Sequence, residues 1–296
     1  MTTKLSLEQV AVYTADLQTC LVEPLSLELE LGNNLTLLGQ TGSGKSLLAQ
    51  ALMADLPPGL VMQGKVCLNG KPLNQNERRA LWGHSWAMLP QEPVTALDPT
   101  MNIGKQVSEG YIYLNKTPPK QAWQLALTKL KSLALAPFAK YFPFELSGGM
   151  AQRAAFAAAT TKEVELIIAD EPTKGLDEQN RQLIINLLKQ SKASVLTITH
   201  DLEVARQLGG QIMVLQHGKL CEAGATCQVL ANPQHAYTRA LINASNWHGK
   251  FEQEQALAQE HVQLQEQTQE QTQEQTQEQT QEQTLEQQAP EQTQEQ

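Results

Sequence analysis

From the N-terminus to about Trp247, short runs suited to β-strands alternate with stretches whose apolar positions recur at helical spacing. Leu5 to Tyr13 and Leu25 to Leu31 read as strands, the second alternating apolar with polar residues in SLELEL, and together they predict an antiparallel β edge. LTLLG, Leu35 to Gly39, is a short apolar run closed by glycine. A helical pattern from Lys45 through Leu56 follows it and is terminated by Pro57 and Pro58. LIIAD, Leu166 to Asp170, and SVLTITH, Ser194 to His200, flank a helix over about Gln179 to Gln190. Apolar strands joined by a helix predict an α/β fold with a mostly parallel central sheet and its chemistry at the strand C-termini. From about Pro93 to Ala159 strand patterns give way to helical ones, including Gln121 to Leu135, which predicts an inserted helical subdomain over 93–159.

Composition divides the chain near the same point. After about Phe251 it is dominated by Gln, Glu and Thr, with a QEQT repeat running through Thr268, Thr272, Thr276, Thr280 and Thr284. So few apolar residues cannot offset the entropy of ordering, so the expectation is one folded domain over 1–247 and a solvated, disordered tail over 248–296. The tail also distorts the charge. The whole chain carries −9, but residues 1–247 hold 20 acidic and 21 basic side chains. A near-neutral folded part lacks the basic excess of a nucleic-acid surface, and no nucleic-acid partner is expected.

Neither an apolar run long enough to span a bilayer nor a secretory signal in MTTKLSLEQV is present, so any membrane role is expected to rest on partner chains. Cys20, Cys67, Cys221 and Cys227 show no metal-ligand spacing and read as reduced thiols.

GQTGSGKS, comprising Gly39, Gln40, Thr41, Gly42, Ser43, Gly44, Lys45 and Ser46, matches the phosphate-loop pattern GxxxxGK[ST] in full. Glycines let successive N–H groups curl around phosphate oxygens, and the helix that follows adds its positive end. Lys45 would reach the β- and γ-phosphates of ATP, and the Ser46 hydroxyl would bind Mg²⁺. Asp170, at the end of an apolar strand, is the expected Mg²⁺-associated carboxylate, and Glu171 beside it is the expected general base.

LSGGMAQR supplies Leu146, Ser147, Gly148, Gly149 and Gln152 at the start of a second helix able to cap phosphate. This stretch resembles the signature motif of ABC ATPases, a branch of the P-loop NTPases. The resemblance implies that the signature of one subunit closes on ATP held by the phosphate loop of another. Other positions fall in register with that family. Gln91, in MLPQEP, matches the glutamine that senses γ-phosphate and Mg²⁺; Asp177, in EPTKGLD, matches the D-loop; His200 matches the switch histidine; and Tyr13 stands where an aromatic stacks on adenine.

Two further stretches, PQEPVTALDPTMNIGKQV and ANPQHAYTRALINA, resemble the ATPases of peptide, nickel and related solute importers. The chain departs from that group at Ala236, where proline is common, and in carrying the QEQT tail in place of a Cys-bearing extension. The resemblance implies an ATP hydrolase at the cytoplasmic face of the inner membrane. Its implied partners are transmembrane permease subunits, a second ATP-binding subunit (a heterodimer favoured over a homodimer) and, indirectly, an extracytoplasmic solute-binding protein. The competing reading is a soluble ABC ATPase acting on DNA or ribosomes. Against it stand the short interval between Gln91 and Leu146 and the single motif set. A catalytically silent partner is disfavoured because Lys45, Ser147, Glu171 and His200 are all present.

Overall fold

The computed structural model of the chain describes residues 3–245. It divides into two units, Met1–Leu241 and Ile242–Gln296, and the expected tail over 248–296 lies outside the described residues. In chain order the elements are β1 (Lys4–Thr14), β2 (Cys20–Glu30), β3 (Leu35–Leu38), α1 (Lys45–Met53), β4 (Leu60–Leu68), β5 (Lys71–Pro72), α2 (Gln75–Ala80) and β6 (Trp86–Leu89). The helices α3 (Pro93–Ala96), α4 (Ile103–Asn115), α5 (Pro119–Ser132) and α6 (Gly148–Ala159) follow with no strand between them. Then come β7 (Leu166–Asp170), α7 (Glu178–Gln190), β8 (Ser194–Thr199), α8 (Leu202–Leu208), β9 (Gln211–Gln216), β10 (Lys219–Ala225), α9 (Thr226–Ala231) and α10 (Ala236–Ala244).

The strands form two sheets. β2-β1-β4-β5 is antiparallel throughout, so the expected antiparallel edge is a sheet of its own, extended by two strands that periodicity did not reveal. The second sheet has the order β10-β9-β3-β8-β7-β6 and is parallel except for the β9–β10 pair. Its inner strands are buried on both faces, which is why they read as largely apolar runs broken only by a few small hydroxyl residues such as Thr36 and Thr197. Along β7, Leu166 and Ile168 pack with Leu37, Leu196, Ile198 and the α1 side chains Leu48 and Leu52, while Ile167 and Ala169 join Leu89, Val107, Leu130 and Ile184 on the helical side.

Register sets where the chemistry falls. Leu38 lies opposite Thr199, and Asp170 opposite Ile198, so β3, β8 and β7 end at the same level. The residues just past those ends, from Gly39, Glu171 and His200 onward, therefore emerge side by side.

The helix after β3 is shorter than expected. It stops at Met53 because Ala54 turns left-handed at φ 60° and sends its N–H back to Gln50 and Ala51, ahead of the prolines. Its carbonyl end is then capped from α2 and the turn after it. Arg78 Nη1 donates to the carbonyls of Ala51 and Leu52, Arg79 Nε to Ala54 at 3.0 Å, and the Trp82 indole N–H to Met53 at 2.9 Å. Cations at the negative end of a helix satisfy carbonyls that have no intrahelical donor and complement the macrodipole. Arg78 is itself buried, so its loss leaves those acceptors dry. Arg78→Met is expected to lower stability by about 2 kcal/mol, seen as a lower urea midpoint with unchanged slope.

Candidate functional site

The loop between β3 and α1 is shaped by its glycines. Gly42 and Gly44 take φ of 81° and 95°, the left-handed region that side chains disfavour, and a Cβ on Gly39 would run into the carbonyl oxygen of Leu215. Two backbone bonds fix the loop to its surroundings, Gly39 N–H to Thr199 O at 3.3 Å and Gly218 N–H to Ser43 O at 3.1 Å, and Ser43 N–H to Gln40 O at 3.1 Å closes its curl from within.

Lys45 opens α1, is only 5% exposed, and turns its ammonium onto the loop itself. It donates to Gly39 O at 2.7 Å, Gln40 O at 2.8 Å and Ser43 Oγ at 3.2 Å. Burial pushes its pKa down, opposed by the charges of Glu171 and Asp170. The next residue faces a carboxylate: Ser46 Oγ donates to Asp170 Oδ1 at 3.2 Å. Burial raises the Asp170 pKa, while the Ser46 hydrogen bond and the nearby Lys45 and Lys174 oppose that shift.

Glu171 follows the last residue of β7 with φ 45°, uncommon for a side-chain-bearing residue, and its N–H is held by Ile198 O at 2.8 Å. Its carboxylate is anchored on both oxygens. Thr199 Oγ1 donates to Oε2 at 3.3 Å, and His200 Nδ1 lies 2.8 Å from Oε1. Thr199 is fully buried and also accepts the Asp201 N–H at 3.0 Å, so it orients Glu171 from a fixed position.

Thr41 to Leu47, Gln91, Glu171, Lys174 and His200 line one pocket, and Gly39, Gln40 and Asp170 stand next to it in the chain or through Lys45 and Ser46. Most of the residues predicted from sequence are thus brought together. Tyr13 is not among them: it sits half-buried on β1, paired with Cys20 and Val61 across the antiparallel sheet. The residues Leu146, Ser147, Gly148, Gly149 and Gln152 do not line the pocket of their own chain either. Ser147 caps α6, accepting the Met150 N–H at 3.4 Å, and remains exposed. Asp177 caps α7 through Asn180, whose backbone and side-chain hydrogen bonds hold its carboxyl below the usual range.

Sequence reasoning missed Thr199, whose hydroxyl was hidden inside a strand pattern, and Lys174, which lies in the turn after the carboxylates. Among the described residues, the Lys174 ammonium has no hydrogen-bond or ion-pair partner, although it lines the same pocket as Lys45, Glu171 and His200.

A parallel sheet with a glycine-rich loop, a buried lysine and a Ser–Asp pair at its strand ends defines a P-loop nucleotide-binding protein. The comparisons narrow the class. The model of the family described as ABC transporter matches residues 22–174. The oligopeptide transport ATP-binding protein OppD of Bacillus subtilis is 34% identical over 234 residues, covering 75% of this chain and 65% of that protein. The probable D,D-dipeptide transport ATP-binding protein DdpD of Escherichia coli K12 is 37% identical over 237 residues, covering 76% of this chain and 72% of that protein. The solved dimer of the ATP-binding cassette MJ0796 in a post-hydrolysis state, bound to ADP and Pi, superposes with a TM-score of 0.66. It is 26% identical and covers 75% of this chain and 98% of that one. The chain belongs to the ABC transporter family of ATP-binding proteins.

The Lys174 ammonium, whose charge already acts on Asp170, lines the pocket where a bound nucleotide's third phosphate would add negative charge. Lys174→Ala is expected to weaken ATP binding by roughly 3- to 10-fold and ADP binding less, from the energy of one partly screened charge pair. Equilibrium titration of both nucleotides checks it.

Proposed function

We propose that this ABC-family ATPase energises the import of peptides or a related small solute, nickel among the candidates, from the cytoplasmic face of the inner membrane. The observation that carries the reading is the convergence of Lys45, Ser46, Gln91, Asp170, Glu171 and His200 around one glycine-shaped loop. Its direction comes from relatives that are themselves named for oligopeptide and dipeptide transport.

ATP would lie with its phosphates in the loop, its terminal phosphate toward Glu171 and His200. Lys45 would exchange the carbonyls of Gly39 and Gln40 for phosphate oxygens, a move that places a positive charge on the group being transferred. The Glu171 carboxylate, fixed by Thr199 and His200, would accept a proton from the attacking water, and His200 would then face the same phosphate. The Ser46 hydroxyl and the Asp170 carboxylate, 3.2 Å apart, are the hard oxygen donors that suit Mg²⁺, with Gln91 across the pocket as a third. Bound there, Mg²⁺ would offset charge on the phosphate oxygens. Tyr13 is assigned to the adenine side.

The signature residues Leu146, Ser147, Gly148, Gly149 and Gln152 would act across a subunit boundary, in keeping with their absence from their own chain's pocket. They would close on ATP held by a second ATP-binding subunit, with Asp177 near the contact and a heterodimer favoured over a homodimer. The helices after Gln91 would pass closure to permease subunits, and an extracytoplasmic solute-binding protein would deliver the cargo. Among the described residues no helix is long and apolar enough to cross a membrane, so the membrane path is assigned to those partners.

Glu171→Gln keeps the shape of the side chain and removes the base. Hydrolysis is expected to fall by about 10²- to 10⁴-fold while ATP now holds two subunits together, read by phosphate release and by elution volume with and without ATP. Wild-type turnover in that variant would remove Glu171 from its role. Permeases retained with the tagged chain from native membranes support the transport reading, whereas ribosomal or DNA-associated proteins without a permease would replace it with the soluble alternative.

A further inference from the structure

The C-terminal stretch ANPQHAYTRALINA marks the chain's resemblance to solute importers, yet nothing in the phosphate chemistry uses it. Its geometry gives it a task. Glu222, on β10, accepts the N–H groups of Gln234 at 2.8 Å and His235 at 3.0 Å. Arg239 Nη1 closes the same turn by donating to Gln234 O at 2.7 Å. The Tyr237 N–H in turn donates to His235 Nδ1 at 3.1 Å, so the first turn of α10 is fixed to β10 through side chains. From there the phenol reaches back across 197 residues of the chain. Tyr237 Oη accepts the backbone N–H of Gln40, at 3.1 Å.

That N–H belongs to the peptide unit joining Gly39 to Gln40, whose carbonyl is the one Lys45 holds at 2.7 Å. The unit is trans and planar, so its N–H and C=O point in opposite directions and move together. Tyr237 and Lys45 therefore clamp one peptide plane from its two ends. When Lys45 turns to phosphate it releases its end, and Tyr237 is left holding the other. A loop kept in shape through that exchange loses less conformational freedom on binding than one that must be ordered by the ligand.

We propose that Tyr237 is a positioning residue for nucleotide binding, holding the first peptide of the phosphate loop in its binding shape while Lys45 changes partners. The proposal rests on the nucleotide reading of the pocket. It gives the C-terminal motif a function within the ATP site and makes the segment from Glu222 to Arg239 the loop's outer support.

Tyr237→Phe removes one oxygen and keeps the ring. In the full chain it is expected to raise the dissociation constant for ATP by about 2- to 10-fold, the range for one net hydrogen bond. The melting temperature without nucleotide should stay within about 2 °C and kcat at saturating ATP within about twofold, a split that a general loss of structure would not give. Gln40→Pro deletes the N–H from the other side, so adding Tyr237→Phe to it should change ATP affinity no further. An unchanged dissociation constant in Tyr237→Phe, or full additivity of the two substitutions, would overturn the tether alone. Failure of the wild-type chain to bind ATP would overturn the nucleotide reading, and the tether with it.

Discussion

The level at which the parallel strands end is the constraint on which the rest of the site depends. A loop lysine, two carboxylates and a histidine are far apart in the chain, and no local preference brings them together. The pairings of Leu38 with Thr199 and of Asp170 with Ile198 do. Because side chains alternate faces with a period of two, a slip of one residue in β7 would exchange Ile168 for Ile167 on the α1 side and also carry Asp170 away from Ser46. The two cores that grip alternate faces of that strand therefore position the carboxylates as well as stabilise the sheet.

The loop adds a second, more local constraint. A buried ammonium without acceptors is costly, and here the loop's own carbonyls and Ser43 serve as those acceptors. Lys45 thereby pulls the loop into a closed curl that already has the outline of a phosphate cradle. On the proposed reading the same contacts would be given up when a phosphate arrives, so binding would be an exchange of partners rather than the filling of a vacant charge. Affinity then depends on how well the loop keeps its shape during the exchange, a matter for the groups behind it as much as for those facing the ligand.

Much of this was legible in the sequence because the signals were either periodic or tied to special backbone geometry. β7 has the limits its apolar run gave, and the loop's glycines stand where φ is positive or where a Cβ would collide. The short β5 and β6 and the unevenly buried β4 and β10 were not legible, since their residues form too little of an alternation and owe their pairing to distant neighbours. Nor was the role of Thr199, which reads as one more β-former in TIT until Glu171 is set beside it. Tyr237 could be singled out only as part of a motif. Its partner is a backbone N–H, which carries no trace in the residue type at position 40.

The signature helix shows how one small residue can serve two ends. A Cβ on Gly149 would strike the side chain of Asn180, and that side chain is occupied on both of its atoms. Its Oδ1 accepts from Arg153 Nη1 of α6 at 2.7 Å, and its Nδ2 donates to Asp177 Oδ2 at 2.7 Å. Gly149 is therefore needed to let α6 approach α7 closely enough for Arg153 to share Asn180 with Asp177. Gly149 thus has a structural reason inside a single chain, independent of any ligand it would cap elsewhere. A displacement of α6 would pass directly to Asp177, and from the turn that Asp177 ends to Lys174 and Glu171. On the proposed reading, the hydrogen-bonded link from Arg153 through Asn180 to Asp177 would be the first part of a physical path between two nucleotide sites, and the covalent chain from Asp177 back to Glu171 would be the rest.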